Sequence, residues 1–158
     1  MKRIAAILSI ALIVCALFSA CSSDGDKASG VSLKDVYQQI KTEVTLPDTV
    51  ELDSAKKLDR SYGITEDMVD DYAGGIDSSG VTMTEIVLIR AKDENSAAEI
   101  GEKLNKRLQS KLNQNRNYNP EQAEIIEKCK VETDGLYVTL VISQDADKIN
   151  AIIRQHIK

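Results

Sequence analysis

The chain has 158 residues, room for one domain and too few for a two-lobed binding protein or a large hydrolase. Its 25 acidic and 20 basic side chains leave a formal charge of -5, the opposite of the basic face that a nucleic-acid partner requires. With one His, no Trp and a single Phe at position 18, catalytic imidazoles and aromatic stacking platforms are nearly absent.

Lys2 and Arg3 open the chain, an apolar run follows from Ile4 to Phe18, and the small residues Ser19 and Ala20 precede Cys21. This is the layout of a secretory signal. The run falls short of the roughly twenty apolar residues a helix needs to span a bilayer, so cleavage is expected rather than a permanent span. Phe18-Ser19-Ala20-Cys21 resembles the lipobox of bacterial lipoproteins, in which the Cys is acylated and becomes the new N-terminus; it departs from that pattern at Phe18, where Leu is usual. An ordinary signal peptide with an incidental Cys is the alternative. Residues 1–20 are therefore expected to be a lipoprotein signal peptide, with Cys21 as the lipidation site and the membrane as a partner through that anchor. The expected location is the extracytoplasmic face of the cell membrane.

Loss of Lys2 and Arg3 leaves 18 basic side chains against 25 acidic ones, so attachment would rest on acyl chains, at about 0.8 kcal/mol per buried CH₂, and not on attraction to an anionic leaflet. Residues 21–31 read as a flexible tether, since Ser22 to Gly30 has no apolar periodicity. With Cys15 removed and Cys21 acylated, Cys129 is the remaining thiol. No internal disulfide can then form, and Cys129, in an apolar strand pattern, reads as a small buried hydrophobe rather than a nucleophile.

Residues 32–158 are expected to form one α+β domain. Leu33, Val36, Tyr37, Ile40 and Val44 recur at helical spacing between a Ser32 cap and Pro47. From Pro47 to Gly63 the apolar residues choose no period, which predicts irregular chain or a short strand. Thr65 as a cap, with Ile64 and Val69 as a staple, predicts a short helix over 66–72. Gly75 and Ile76, a turn at Asp77 to Gly80, and Val81 to Ala91 predict a hairpin. A long helix starts at Asn95 or Ser96, with Ala97, Ile100, Leu104, Leu108 and Leu112 on its apolar face and Glu102, Lys103, Lys106 and Lys111 on the other. Asn119-Pro120-Glu121 caps and opens another short helix. Cys129 to Thr133 and Leu136 to Ser143 predict a second hairpin, turning at Asp134-Gly135 in a type I′ turn. The terminal helix buries Ile149, Ile152, Ile153 and Ile157. Together these predict helices packed on a four-stranded antiparallel sheet built from two hairpins.

Five segments carry a resemblance to a known family: Tyr62-Gly63-Ile64, Thr84-Glu85-Ile86, Tyr118-Asn119-Pro120, Leu136-Tyr137-Val138 and Ile142-Ser143. Across residues 33–157 the chain resembles an uncharacterised family of bacterial lipoproteins, mostly from Gram-positive species, known as domain of unknown function 4358. The resemblance implies export, lipidation and the α+β arrangement, and attaches no activity.

Few constellations could carry chemistry. Glu66, Asp67, Asp70 and Asp71 form acidic pairs at i, i+4 on the predicted helix, where Ca²⁺ binding competes with a solvated helix start. Glu85 sits in an apolar strand and would be a general-base candidate if buried, unless that face meets water or Lys128 or Lys130 pairs with it. His156 reads as a surface residue of the last helix. No metal-ligand spacing or cofactor motif is present, so neither metal nor cofactor is expected. Two functions follow: a non-enzymatic binding or assembly module of the cell envelope, acting on an unknown envelope protein or ligand with Tyr62, Tyr72, Tyr118 and Tyr137 as contact anchors, or a small envelope hydrolase or transferase using Glu85 and the nearby carboxylates. The lipidation expectation is checked by Cys21→Ala: membrane fractionation should find the variant in the soluble fraction or as unprocessed precursor, and normal processing with membrane retention would refute it.

Overall fold

The computed structural model describes residues 30–157; Cys21 and the segment before it lie outside them. The elements in order are α1 (Leu33–Glu43), β1 (Thr49–Glu51), α2 (Ala55–Tyr62), a 3₁₀ turn (Glu66–Met68), β2 (Val69–Asp77), β3 (Glu85–Ala91), α3 (Glu94–Tyr118), α4 (Pro120–Lys128), β4 (Val131–Asp134), β5 (Tyr137–Ile142) and α5 (Ala146–His156). The sheet is antiparallel with order β1-β2-β3-β5-β4. Both predicted hairpins form and meet through β3 and β5, but β1 makes the sheet five-stranded, not four-stranded.

The sheet is covered on both faces. On one, Leu33, Val36, Tyr37 and Ile40 of α1 and Ile149, Ile152 and Ile153 of α5 pack on Ile86, Leu88 and Val141. On the other, α2, α3 and α4 bury Leu58, Ile100, Leu104 and Ile126 against Val87, Ile89, Val138 and Leu140. Central strand β3 is therefore apolar on successive residues, because neither of its faces meets water. Val31, assigned above to the tether, packs against the α1–α5 core.

The predicted helix over 66–72 is not there: it stops after one 3₁₀ turn, and Val69–Asp77 is strand. A register shift between Val69 and Asp71 breaks the two-residue alternation that marks a strand in sequence. The stretch from Pro47 to Gly63, expected to be irregular or a short strand, contains the short strand β1 and also the helix α2. Leu58 and Tyr62 face the core, and α2 ends at Gly63 in the left-handed region at φ 67°, a terminator of the usual glycine kind. Helix α3 is capped by Asp93, whose side chain accepts from the Ser96 N–H, and runs six residues beyond Leu112 through the Asn-rich stretch. Cys129 is not in a strand; it ends α4. The last turn is shifted by one residue, since Asp134 pairs with Tyr137 and the loop is Gly135-Leu136. Gly135 has φ 56° and Leu136 a negative φ, which fits a type II′ loop with Gly first and not type I′.

Gly74 has φ 144°, and a Cβ there would overlap the Ile86 carbonyl oxygen of the neighbouring strand. Gly135 has the same need for positive φ with open space around it. Denaturant melts should therefore rank three variants: Asp70→Asn, a surface change, within about 0.5 kcal/mol of wild type, Gly135→Val worse by about 1–3 kcal/mol, and Gly74→Ala worst of all.

Candidate functional site

Glu85 is the first residue of β3, fully buried on the α3 side of the sheet. Its carboxylate accepts from Arg107 Nε at 3.1 and 3.3 Å and from an Arg107 terminal nitrogen at 3.0 Å, and Lys111 Nζ stands 2.6 Å away. Lys111 also donates to the Met83 carbonyl at 3.0 Å. Met83 has φ 54°, alone in positive φ among the non-glycine described residues, a conformation that costs about 1 kcal/mol or more. Neither water nor Lys128 or Lys130 accounts for Glu85; the partners come from α3. Lys111, placed above on the polar helix face, is 8 % exposed. Arg107 and Lys111 follow Leu104 by three and seven residues, a core-facing spacing that charge alone disguised.

Burial by itself would raise the Glu85 pKa, but the hydrogen bonds and charges of Arg107 and Lys111 outweigh it and hold the group below the usual carboxylate range. Tyr62 closes the cluster. Its ring lies 5.9 Å from the Arg107 guanidinium, while burial and the Glu85 charge push its hydroxyl pKa up. That hydroxyl is buried and meets no hydrogen-bond partner among the described residues.

The acids near 70 do not join this cluster. Asp71 pairs with Arg90, whereas Glu85 pairs with Ile76 at the other end of the same ladder, roughly 17 Å away at strand rise. Glu66 and Asp67 stay in the 3₁₀ turn, so the predicted i, i+4 pairs on one helix do not form. Both Asp71 oxygens are occupied, by the Leu33 N–H at 2.9 Å and the Tyr72 N–H at 2.9 Å. Among the described residues no three His, Cys, Asp or Glu side chains converge as metal ligands.

The four tyrosines are dispersed. Tyr62 is 8 % exposed and belongs to the core, so it is no surface contact, whereas Tyr118, at the α3–α4 corner, is 90 % exposed. Tyr72 lines a cavity of about 340 Å³ between α1 and the β1–β2 edge, with Tyr37, Glu51, Asp53, Asp70 and Asp71. Tyr137 lines another, of about 450 Å³, between β4, β5 and α5, with Thr139, Ile153 and Ile157. In the first cavity Glu51 pairs with Lys41 and Asp53 with Lys57; Asp70 has no ion-pair partner among the described residues. Sequence reasoning missed Glu51 and Asp53, because only the return of β1 beside β2 brings them to Tyr72.

Cys129 is half-buried, its thiol donating to the Ile125 carbonyl at 3.2 Å, and burial pushes its pKa up. His156 meets Gln39 across α1 and α5 at 2.8 Å.

The structure is thus an antiparallel α+β domain with a buried, charge-compensated carboxylate and two separate tyrosine-lined cavities. Residues 42–143 match the family described as Domain of unknown function (DUF4358), and the chain belongs to it. The match covers all five strands and α2 to α4 and stops short of α5. No curated protein and no solved structure matches the chain.

Because the folded Glu85 pKa is depressed, its ion pairs contribute stability above the unfolded carboxylate pKa, near 4.3, and lose it as pH falls through the folded value. Thermal melts of the wild type should drop steeply below about pH 4. Glu85→Gln should be less stable than wild type at pH 7 by about 3–5 kcal/mol, since it leaves Lys111 buried without a counter-charge, and should lose less on acidification.

Proposed function

We propose that the protein is a membrane-anchored lipoprotein of the extracytoplasmic face, held through Cys21, that acts as a non-enzymatic binding or assembly module of the cell envelope. The cavity under Tyr72 takes its ligand, of a kind bearing a positively charged group. The observation that carries this reading is the bond from the Leu33 amide to Asp71 on the cavity wall. It ties the binding cavity to the first residue of α1, a dozen residues after Cys21 and so within roughly 40 Å of chain from the proposed anchor.

The lining supports a cation. Four carboxylates face it with Lys34, and two of them are balanced by Lys41 and Lys57 at the rim. Asp70 and Asp71 are left without an ion-pair partner among the described residues; Asp71 accepts from two backbone amides, and Asp70 stands exposed on the cavity wall. A hydrolase or transferase built on Glu85 has less support. A general base needs a free lone pair aimed at a substrate proton, while the Glu85 oxygens are occupied by two cations and shut away from solvent.

Calorimetric titration of the full chain in detergent with spermidine and with a short lysine-rich peptide tests the cavity. Saturable binding is expected, weakened severalfold by Asp70→Asn and by raised salt. Absence of saturable binding for both probes would reject the cationic ligand, and a protein recovered soluble after export would reject the anchor.

A further inference from the structure

Strand β4 ends the sheet, and its outer backbone groups are unused. The Leu136 carbonyl accepts from the Ala91 N–H at 2.8 Å, so residues 136, 138 and 140 turn their backbone groups to β3, and Tyr137 and Thr139 turn theirs to β4. Their register partners Asp134 and Glu132 therefore bond inward. Val131 and Thr133 present their N–H and C=O groups to the free edge, where they meet no partner among the described residues.

We propose that this edge pairs antiparallel with β4 of a second copy of the chain, about a two-fold axis beside Glu132. The outward alternation then sets Val131 opposite Thr133 of the second copy as hydrogen-bonded pairs, Lys130 opposite its Asp134, and Glu132 opposite its Glu132. Charge favours this occupant, and charge together with the backbone bonds already made before β4 favours this register. Lys130 meets Asp134 twice, once on each side of the axis. Each Glu132 is already held by Arg154 at 2.7 and 3.0 Å and by Lys130 at 3.3 Å, so the two facing carboxylates bring four cations with them and the patch sums to neutral. Sliding the pairing toward the loop would set Glu132 against Asp134. Sliding it the other way would set Lys130 against Glu132, but its next bonded pair would need the Cys129 N–H, which already donates to the Ile126 carbonyl at 3.0 Å.

Short charged edges also serve to prevent pairing, and the experiment separates the two cases. Glu132 would lie opposite itself at a non-hydrogen-bonded position, with Cα atoms about 4.5 Å apart, within disulfide reach. In the full chain carrying Cys129→Ala, mild oxidation should cross-link Glu132→Cys at least about tenfold more than Lys130→Cys. Sedimentation of the otherwise unaltered chain in detergent should give a dimer. Lys130→Glu should weaken it about tenfold and adding Asp134→Lys should restore it. A monomer at the highest attainable concentration, equal cross-linking at 130 and 132, or no rescue by the double charge swap would overturn the proposal.

Discussion

A carboxylate at the head of the central strand can leave water only if cations leave with it, and the pairing of Glu85 with Arg107 and Lys111 meets that condition. Three elements are placed by it at once. Helix α3 must cross the sheet where two cations one turn apart reach the start of β3. The chain before β3 must turn its Met83 carbonyl toward Lys111, which puts Met83 in the left-handed region. Helix α2 then closes the cluster with the Tyr62 ring against Arg107.

A second constraint is the double covering of the sheet. With α1 and α5 on one face and α2, α3 and α4 on the other, the backbone of β3 has neither free face nor free edge, and unsatisfied groups are displaced to the outer strands. The β2–β3 connection is held by a polar device instead. Burial opposes the Asp77 charge, but its carboxylate accepts from the backbone and hydroxyls of both Ser79 and Thr82, at 2.7 to 2.8 Å. These bonds hold its pKa well below the usual range. Asp77 shares with Glu85 a pKa held below the usual range, so the ionised form of each favours the fold.

The same architecture disperses whatever the surface can recognise. Tyr72 and Tyr137 lie beside different cavities, and Tyr118 stands alone at the α3–α4 corner. The binding role proposed above is for that reason local to one cavity and not spread over an aromatic face. The cavity under Tyr72 is the one attached, through Leu33 and Asp71, to the end of the chain that leads to the proposed anchor.

Residue pattern alone determined the helices α1, α3, α4 and α5, because each buries a stripe at helical spacing and three of them have side-chain caps at the start. It also determined the two hairpins, whose glycines and apolar runs are local signals, and membership in the family. Three things were decided only by tertiary structure. Residues 69–77 became strand because β3 supplies a ladder, and a bulge with two glycines hides the alternation that would announce it. Residues 49–51 became the fifth strand only because β2 lies beside them. Glu85 and Lys111 looked like an isolated acid and a solvated base, and Arg107 did not stand out at all, since local periodicity records which way a side chain points but not which opposite charge the fold will bring to meet it.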